Sequence, residues 1–152
     1  MSDAATLLAP SIKHATLTAP RSAVWRAWTD QQELAKWFDR DARVELRAGG
    51  PYEILFLMDN PPDLQGGEGN TVQAFSAEKS LDFTWNAPPD FGPLRDIRTH
   101  VRIELSDADN GTDLTLTHDG WGVATDWSPV REYFDRAWDH VMNALNSHLS
   151  SS

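Results

Sequence analysis

The 152-residue chain carries 23 acidic against 13 basic side chains, a formal net charge of −10, and no cysteine. That length suits one domain able to bury roughly 70% of its unfolded surface without covalent staples. The missing cysteines exclude disulfides, thiolate zinc sites and cysteine nucleophiles, and the acidic balance disfavours nucleic acid and anionic lipid as partners.

No apolar run approaches the ~20 residues of a membrane span, so no membrane insertion is expected. The N-terminus lacks the basic segment and full apolar stretch of a signal peptide, so a cytoplasmic location is expected. Residues 1–10 read as a flexible leader, 11–149 as a single domain and 150–152 as a tail. Ile12 to Thr18 forms a predicted first strand, stopped by Ala19-Pro20. Arg21–Thr29 reads as a short helix with Pro20 at its start, and Val24 and Trp28 share its inner face. Asp30 can cap a second short helix running through Trp37-Phe38.

Strand patterns follow. Val44 and Leu46 alternate with Arg43, Glu45 and Arg47, which suits a charged edge strand. After the turn at Gly49-Gly50-Pro51, period two puts Tyr52, Ile54, Phe56 and Met58 on one face and Leu55 and Leu57 on the other. The two outward leucines make a small apolar patch, so a monomer or a weak homodimer is expected. A Pro/Gly-rich loop over 59–70 leads to a strand near Thr71–Ser76, whose inward parity the pattern leaves open.

Leu81, Phe83 and Trp85 alternate with polar residues. The next loop, Asn86–Asp96, holds Phe91 and Leu94 and can fold over something apolar. Ile97, Thr99, Val101, Ile103 and Leu105 form one face of a long strand, joined by a turn at 107–111 to a strand over Thr112–His118. Ser128 and Pro129 suit the start of a final helix. Its apolar stripe is Val130, Phe134, Ala137, Trp138, Val141 and Leu145, with Glu132, Asp135, Asp139, Asn143 and Asn146 facing away. Strands followed by a long amphipathic helix define an α+β fold.

The stretches Thr18-Ala19-Pro20, Val24-Trp25-Arg26-Ala27-Trp28-Thr29, Trp37-Phe38 and Arg47-Ala48-Gly49-Gly50-Pro51-Tyr52 resemble a known family. So do Leu81-Asp82-Phe83-Thr84-Trp85, the run from Gly111 to Gly120, and Trp138. Together they are similar to the START-like, or SRPBCC, superfamily, and within it to the branch named after the activator of heat-shock-protein-90 ATPase. The resemblance implies a helix-grip fold: a curved antiparallel sheet of about six to seven strands around a long C-terminal helix, with two short helices after the first strand. The co-chaperone that gives the branch its name resembles this chain only in its C-terminal part. Nothing here matches its chaperone-contacting N-terminal domain, so a chaperone interaction is not expected.

The seven tryptophans and six phenylalanines fill a core and can also line a pocket. The expected partner is a small apolar or aromatic ligand. Its expected contacts are Trp28, Trp37, Tyr52, Ile54, Phe56, Met58, Phe83, Trp85, Val101, His118, Trp121, Phe134, Trp138 and Val141. His118 shares strand parity with Leu114 and Leu116, so it faces the interior. There it is either a polar anchor or general base, or a buried histidine satisfied by the protein itself. Tyr52 is the second polar candidate, with a solvent-reaching hydroxyl as its plain alternative. No metal is expected, because no metal-ligand spacing occurs. No cofactor is expected either. The glycines of 65–70 lack the lysine and helix of a phosphate loop. A cyclase or dehydratase using the same pocket, and a partner-binding module, are the competing functions.

Overall fold

The computed structural model describes residues 8–38, 40–55, 69–87 and 89–150. Phe56, Leu57 and Met58 therefore lie outside the described residues. The elements in chain order are β1 (Ser11–Leu17), α1 (Arg21–Thr29), α2 (Gln31–Phe38), β2 (Asp41–Val44), β3 (Tyr52–Leu55) and β4 (Val72–Ser76). They continue with β5 (Ser80–Trp85), a 3₁₀ segment at Pro89–Asp96, β6 (Thr99–Ala108), β7 (Gly111–Asp119) and α3 (Ala124–Ser150).

Five strands form one antiparallel sheet in the order β1-β7-β6-β5-β4, while β2 and β3 pair separately. The expected single sheet of about six to seven strands is thus split. At the junction Gly49 N–H donates to Val72 O (2.7 Å) and Val72 N–H to Gly50 O (2.8 Å), with one isolated bridge between Pro51 and Thr71.

Period two sets the buried face. Leu81, Phe83 and Trp85 of β5, Thr99, Val101, Ile103 and Leu105 of β6, and Leu114, Leu116 and His118 of β7 are all buried. Register lines them into rungs: Phe83 opposite Val101 and Val101 opposite His118, Leu81 opposite Ile103 and Ile103 opposite Leu116. Side chains directly across a ladder are the unit that holds a sheet together. On β4 only Val72 is buried, because the register shifts between Val72 and Ala74. A bulge of this kind breaks alternation, which explains the open parity of that segment.

Pro20 O accepts the amide N–H groups of Ala23 and Val24 (3.0 and 3.1 Å), and α1 buries Val24, Trp25, Ala27 and Trp28. Asp30 caps α2 as expected: its carboxylate accepts from the N–H groups of Gln32 and Glu33, both at 3.0 Å. Asp30→Ala orphans those donors and is expected to cost about 1 kcal/mol, read as a shift of the urea midpoint with unchanged slope.

Three expectations need correction. Ile97 stands before β6 and is exposed; the strand begins only where Thr99 pairs with Trp85. Leu46 lies past the end of β2 and is also exposed. The last helix starts at Ala124, before Ser128. Val123 O accepts from Asp126 N–H (3.2 Å) and Trp127 N–H (3.0 Å), and burial of Trp127 draws this extra turn onto the core. Ser128 Oγ donates back to Ala124 O at 2.7 Å instead of capping. The buried stripe is Trp127, Val130, Phe134, Trp138, Met142, Leu145 and Leu149, with Ala137 and Val141 half-buried on its flank. Leu55 of the expected apolar patch is half-buried on β3. Among the described residues no helix is long and apolar enough to cross a membrane.

Candidate functional site

Rings fill the space between sheet and helix. Tyr52 stacks on Phe83 (centroids 4.1 Å apart), Phe83 meets Trp85 edge-on at 5.7 Å, and Trp85 lies 6.1 Å from Trp138. His118 packs against Trp121 (4.2 Å), Phe134 (4.7 Å) and Trp138 (5.8 Å). The sheet face and the helix stripe interlock through these rings. Such contacts add stability beyond the area they bury.

The two polar candidates are committed inside the protein. Trp138 Nε1–H donates to His118 Nδ1 at 2.9 Å, which makes Nδ1 the unprotonated nitrogen and leaves the proton on Nε2. Nε2 then donates to Thr99 Oγ1 at 2.7 Å, and Thr99 Oγ1 donates to Trp85 O at 3.2 Å. Each donor in this chain has an acceptor. Burial, helped by the nearby His100 charge, lowers the His118 pKa to about 3, so the ring is neutral at ordinary pH. Tyr52 is fully buried and donates to Trp28 O at 2.6 Å; burial raises its pKa well above that of a free phenol. His118 is thus a buried histidine satisfied by the protein itself, whereas the Tyr52 hydroxyl does not reach solvent as its plain alternative had it, because it is buried against the Trp28 carbonyl. Trp28 Nε1–H and Trp121 Nε1–H are buried with no hydrogen-bond partner among the described residues.

Among the described residues, open space lies on the flank of α3 that faces α2. A chamber of about 80 Å³ is lined by Phe38, Trp85, Tyr133, Phe134, Ala137, Trp138 and Val141. It adjoins a wider cleft of about 300 Å³ between Trp37 and Phe38 of α2 and Ala137, His140, Val141 and Ala144 of α3. Phe38, Ala137 and Val141 belong to both. Trp37 is held for this wall by donating Nε1–H to Ala27 O (2.7 Å) and by packing on Phe38 at 4.4 Å. At one end Tyr133 meets Phe91 edge-on at 5.9 Å, so the 3₁₀ segment borders the cleft. At the other, His148 Nε2 and Glu33 Oε2 lie 3.0 Å apart and tie α3 to α2.

Of the residues expected at a ligand, Trp37, Trp85, Phe134, Trp138 and Val141 come together here. Trp28, Tyr52, Ile54, Phe83, Val101, His118 and Trp121 are buried in the core. Phe56 and Met58 fall outside the described residues. Phe38, Tyr133, Ala137, His140 and Ala144 were missed. For the four on the last helix the signal was the helical spacing of 133, 137, 140 and 144 along one flank of the apolar stripe. Among the described residues no cluster of histidines and carboxylates could hold a metal.

A five-stranded antiparallel sheet carrying a long C-terminal helix on its apolar face, with two short helices inserted after β1, defines a helix-grip domain of the SRPBCC kind. Residues 18–150 match the family described as Activator of Hsp90 ATPase homolog 1-like protein, and the chain belongs to that family. The fold is shared with protein MLL2253 from Mesorhizobium loti (21% identity, TM-score 0.77, covering 95% of this chain and 98% of that one). It is shared also with protein NE0264 from Nitrosomonas europaea (23%, TM-score 0.70, 93% and 94%). CalU16 from Micromonospora echinospora is a third (22%, TM-score 0.68, 93% and 76%). No curated protein matches the chain.

Proposed function

We propose that this protein is a cytoplasmic single-domain binder, over residues 11–149, that holds a small apolar or aromatic molecule in the cleft between α2 and α3. The observation that carries the reading is the composition of the cleft wall. Aromatic rings from three elements, Trp37 and Phe38, Trp85, and Tyr133 with Phe134 and Trp138, converge on one opening at the surface. Its size lies at the small end of the roughly 300–1,000 Å³ range of ligand sites. Catalysis in the same space has weaker support. His118 and Tyr52, the polar candidates for proton transfer, are held neutral by burial and spend their hydrogen bonds on the protein, whereas a general base needs reach to a substrate proton.

The test uses N-phenyl-1-naphthylamine, a neutral aromatic whose emission rises in apolar surroundings. The wild type is expected to bind it saturably, with quenching of tryptophan emission. Ala137→Leu puts a larger side chain where chamber and cleft meet, on a half-buried position. It is expected to weaken binding at least about tenfold while leaving the melting temperature within a few degrees. No saturable binding by the wild type, or equal binding by Ala137→Leu, overturns the proposal.

A further inference from the structure

Resting on the cleft reading, we propose that the ligand is a small organic anion, an apolar body ending in an oxyanion such as a carboxylate, whose charged end meets His140 and Arg136 at the mouth. The pairing of this protein's histidines carries the inference. His14, His100, His118 and His148 each have a side-chain partner, Thr115, Gln73, Thr99 with Trp138, and Glu33 respectively. Among the described residues His140 has none, although it lines the cleft and is exposed. Arg136 lies one helical turn before it on the same flank, exposed and without an ion pair among the described residues. In a chain of net charge −10, two neighbouring unpaired donors at the rim of an apolar opening invite an anion from outside.

The acidic groups nearby do not oppose it. Glu132, one turn before Arg136, makes no ion pair with it among the described residues, and Asp135 and Asp139 lie about 100° or more around α3 from His140. There Lys13 Nζ lies 3.8 and 3.0 Å from them, and Arg131 Nη1 bonds Asp135 at 3.2 Å. Glu33, at the far end of the cleft on α2, is taken up by His148 (3.0 Å) and Lys36 (3.7 Å). No carboxylate lines either opening among the described residues. An anion seated at His140 therefore meets donors first and leaves its apolar body against Phe38, Ala137 and Val141.

Two fluorescent probes with nearly the same body separate the charge from the cleft: 8-anilinonaphthalene-1-sulfonate carries a sulfonate, and N-phenyl-1-naphthylamine lacks it. Wild type is expected to prefer the sulfonate probe several-fold at low salt and to lose that preference as ionic strength rises. His140→Gln and Arg136→Gln, both at exposed positions, are each expected to weaken the sulfonate probe about five- to tenfold, and Arg136→Gln, outside the cleft lining, to leave the neutral probe within about twofold. Equal binding of the two probes, or an unchanged sulfonate affinity in both variants, overturns the anion assignment while the cleft reading stands. Failure of the neutral probe to bind overturns the cleft reading and this inference with it.

Discussion

Gly111→Ala is expected to destabilise the fold by about 3 kcal/mol or more, although it adds a single methyl group. Gly111 opens β7 at the hairpin, opposite Ala108. A Cβ built there lies 1.8 Å from Leu17 O, 2.9 Å from Leu17 C and 3.0 Å from Thr18 Cα. All three are backbone atoms at the end of β1, so no side chain can swing away, and the strand itself must move. The same crossing is clamped by Thr112, whose hydroxyl donates to Ala19 O at 2.7 Å. Thermal unfolding should show a fall of roughly 6–12 °C for a domain of this size. Gly92→Ala is the control. Its backbone has φ 58° and ψ −129° but nothing lies within 4 Å of a Cβ there, so only conformational strain remains, on the order of 1–3 kcal/mol. Equal melting of Gly111→Ala and wild type would contradict the packing at the β1–β7 end.

Acid is expected to destabilise the protein through His118. Its pKa in the fold is about 3, against 6.5 for the free side chain. Between those values the unfolded chain binds a proton that the folded one refuses, so stability rises with pH across this window. The contribution is complete above about pH 6.5 and drains away as pH falls toward 3, at about 1.4 kcal/mol per unit. The total is on the order of 4–5 kcal/mol. Urea titrations at pH 7 and pH 5 isolate it, because most carboxylates remain ionised between them. Wild type should lose about 2 kcal/mol over that interval in excess of His118→Gln, which offers an acceptor and a donor without an imidazole. Identical pH dependence in the two proteins would mean that His118 is not held neutral in the core.

The fold was legible because its main signals are local. The caps at Pro20 and Asp30, the alternation of β5 to β7 and the apolar stripe of the last helix each follow from residues a few positions apart. The start of α3 was not. Val123 carries no capping side chain, and the turn forms because Trp127 is buried. The one trace in the sequence is Gly122, where a Cβ would fall 2.2 Å from Trp127 Nε1. The bulge in β4 likewise depends on pairing with β5.

The aromatic interior was legible in kind, but not the place of each ring. Ring content pointed to an aromatic interior, yet composition does not say which rings interlock and which leave a gap. His118 illustrates this: strand parity placed it inside, but only the tertiary fold brings Trp138 and Thr99 to its two nitrogens. His140 and Ala144 stand apart from the apolar stripe in the sequence and become neighbours of Trp37 and Phe38 only when α2 packs beside α3.

The proposed ligand occupies the α2–α3 cleft rather than the sheet interior. Intermolecular nuclear Overhauser effects between bound N-phenyl-1-naphthylamine and the protein methyl groups measure this directly. Contacts should reach the methyls of Ala137, Val141 and Ala144, which line the openings. Contacts to Val101, Leu116 and Ile103 instead, which are buried in the sheet face, would place the ligand inside the core and contradict the account.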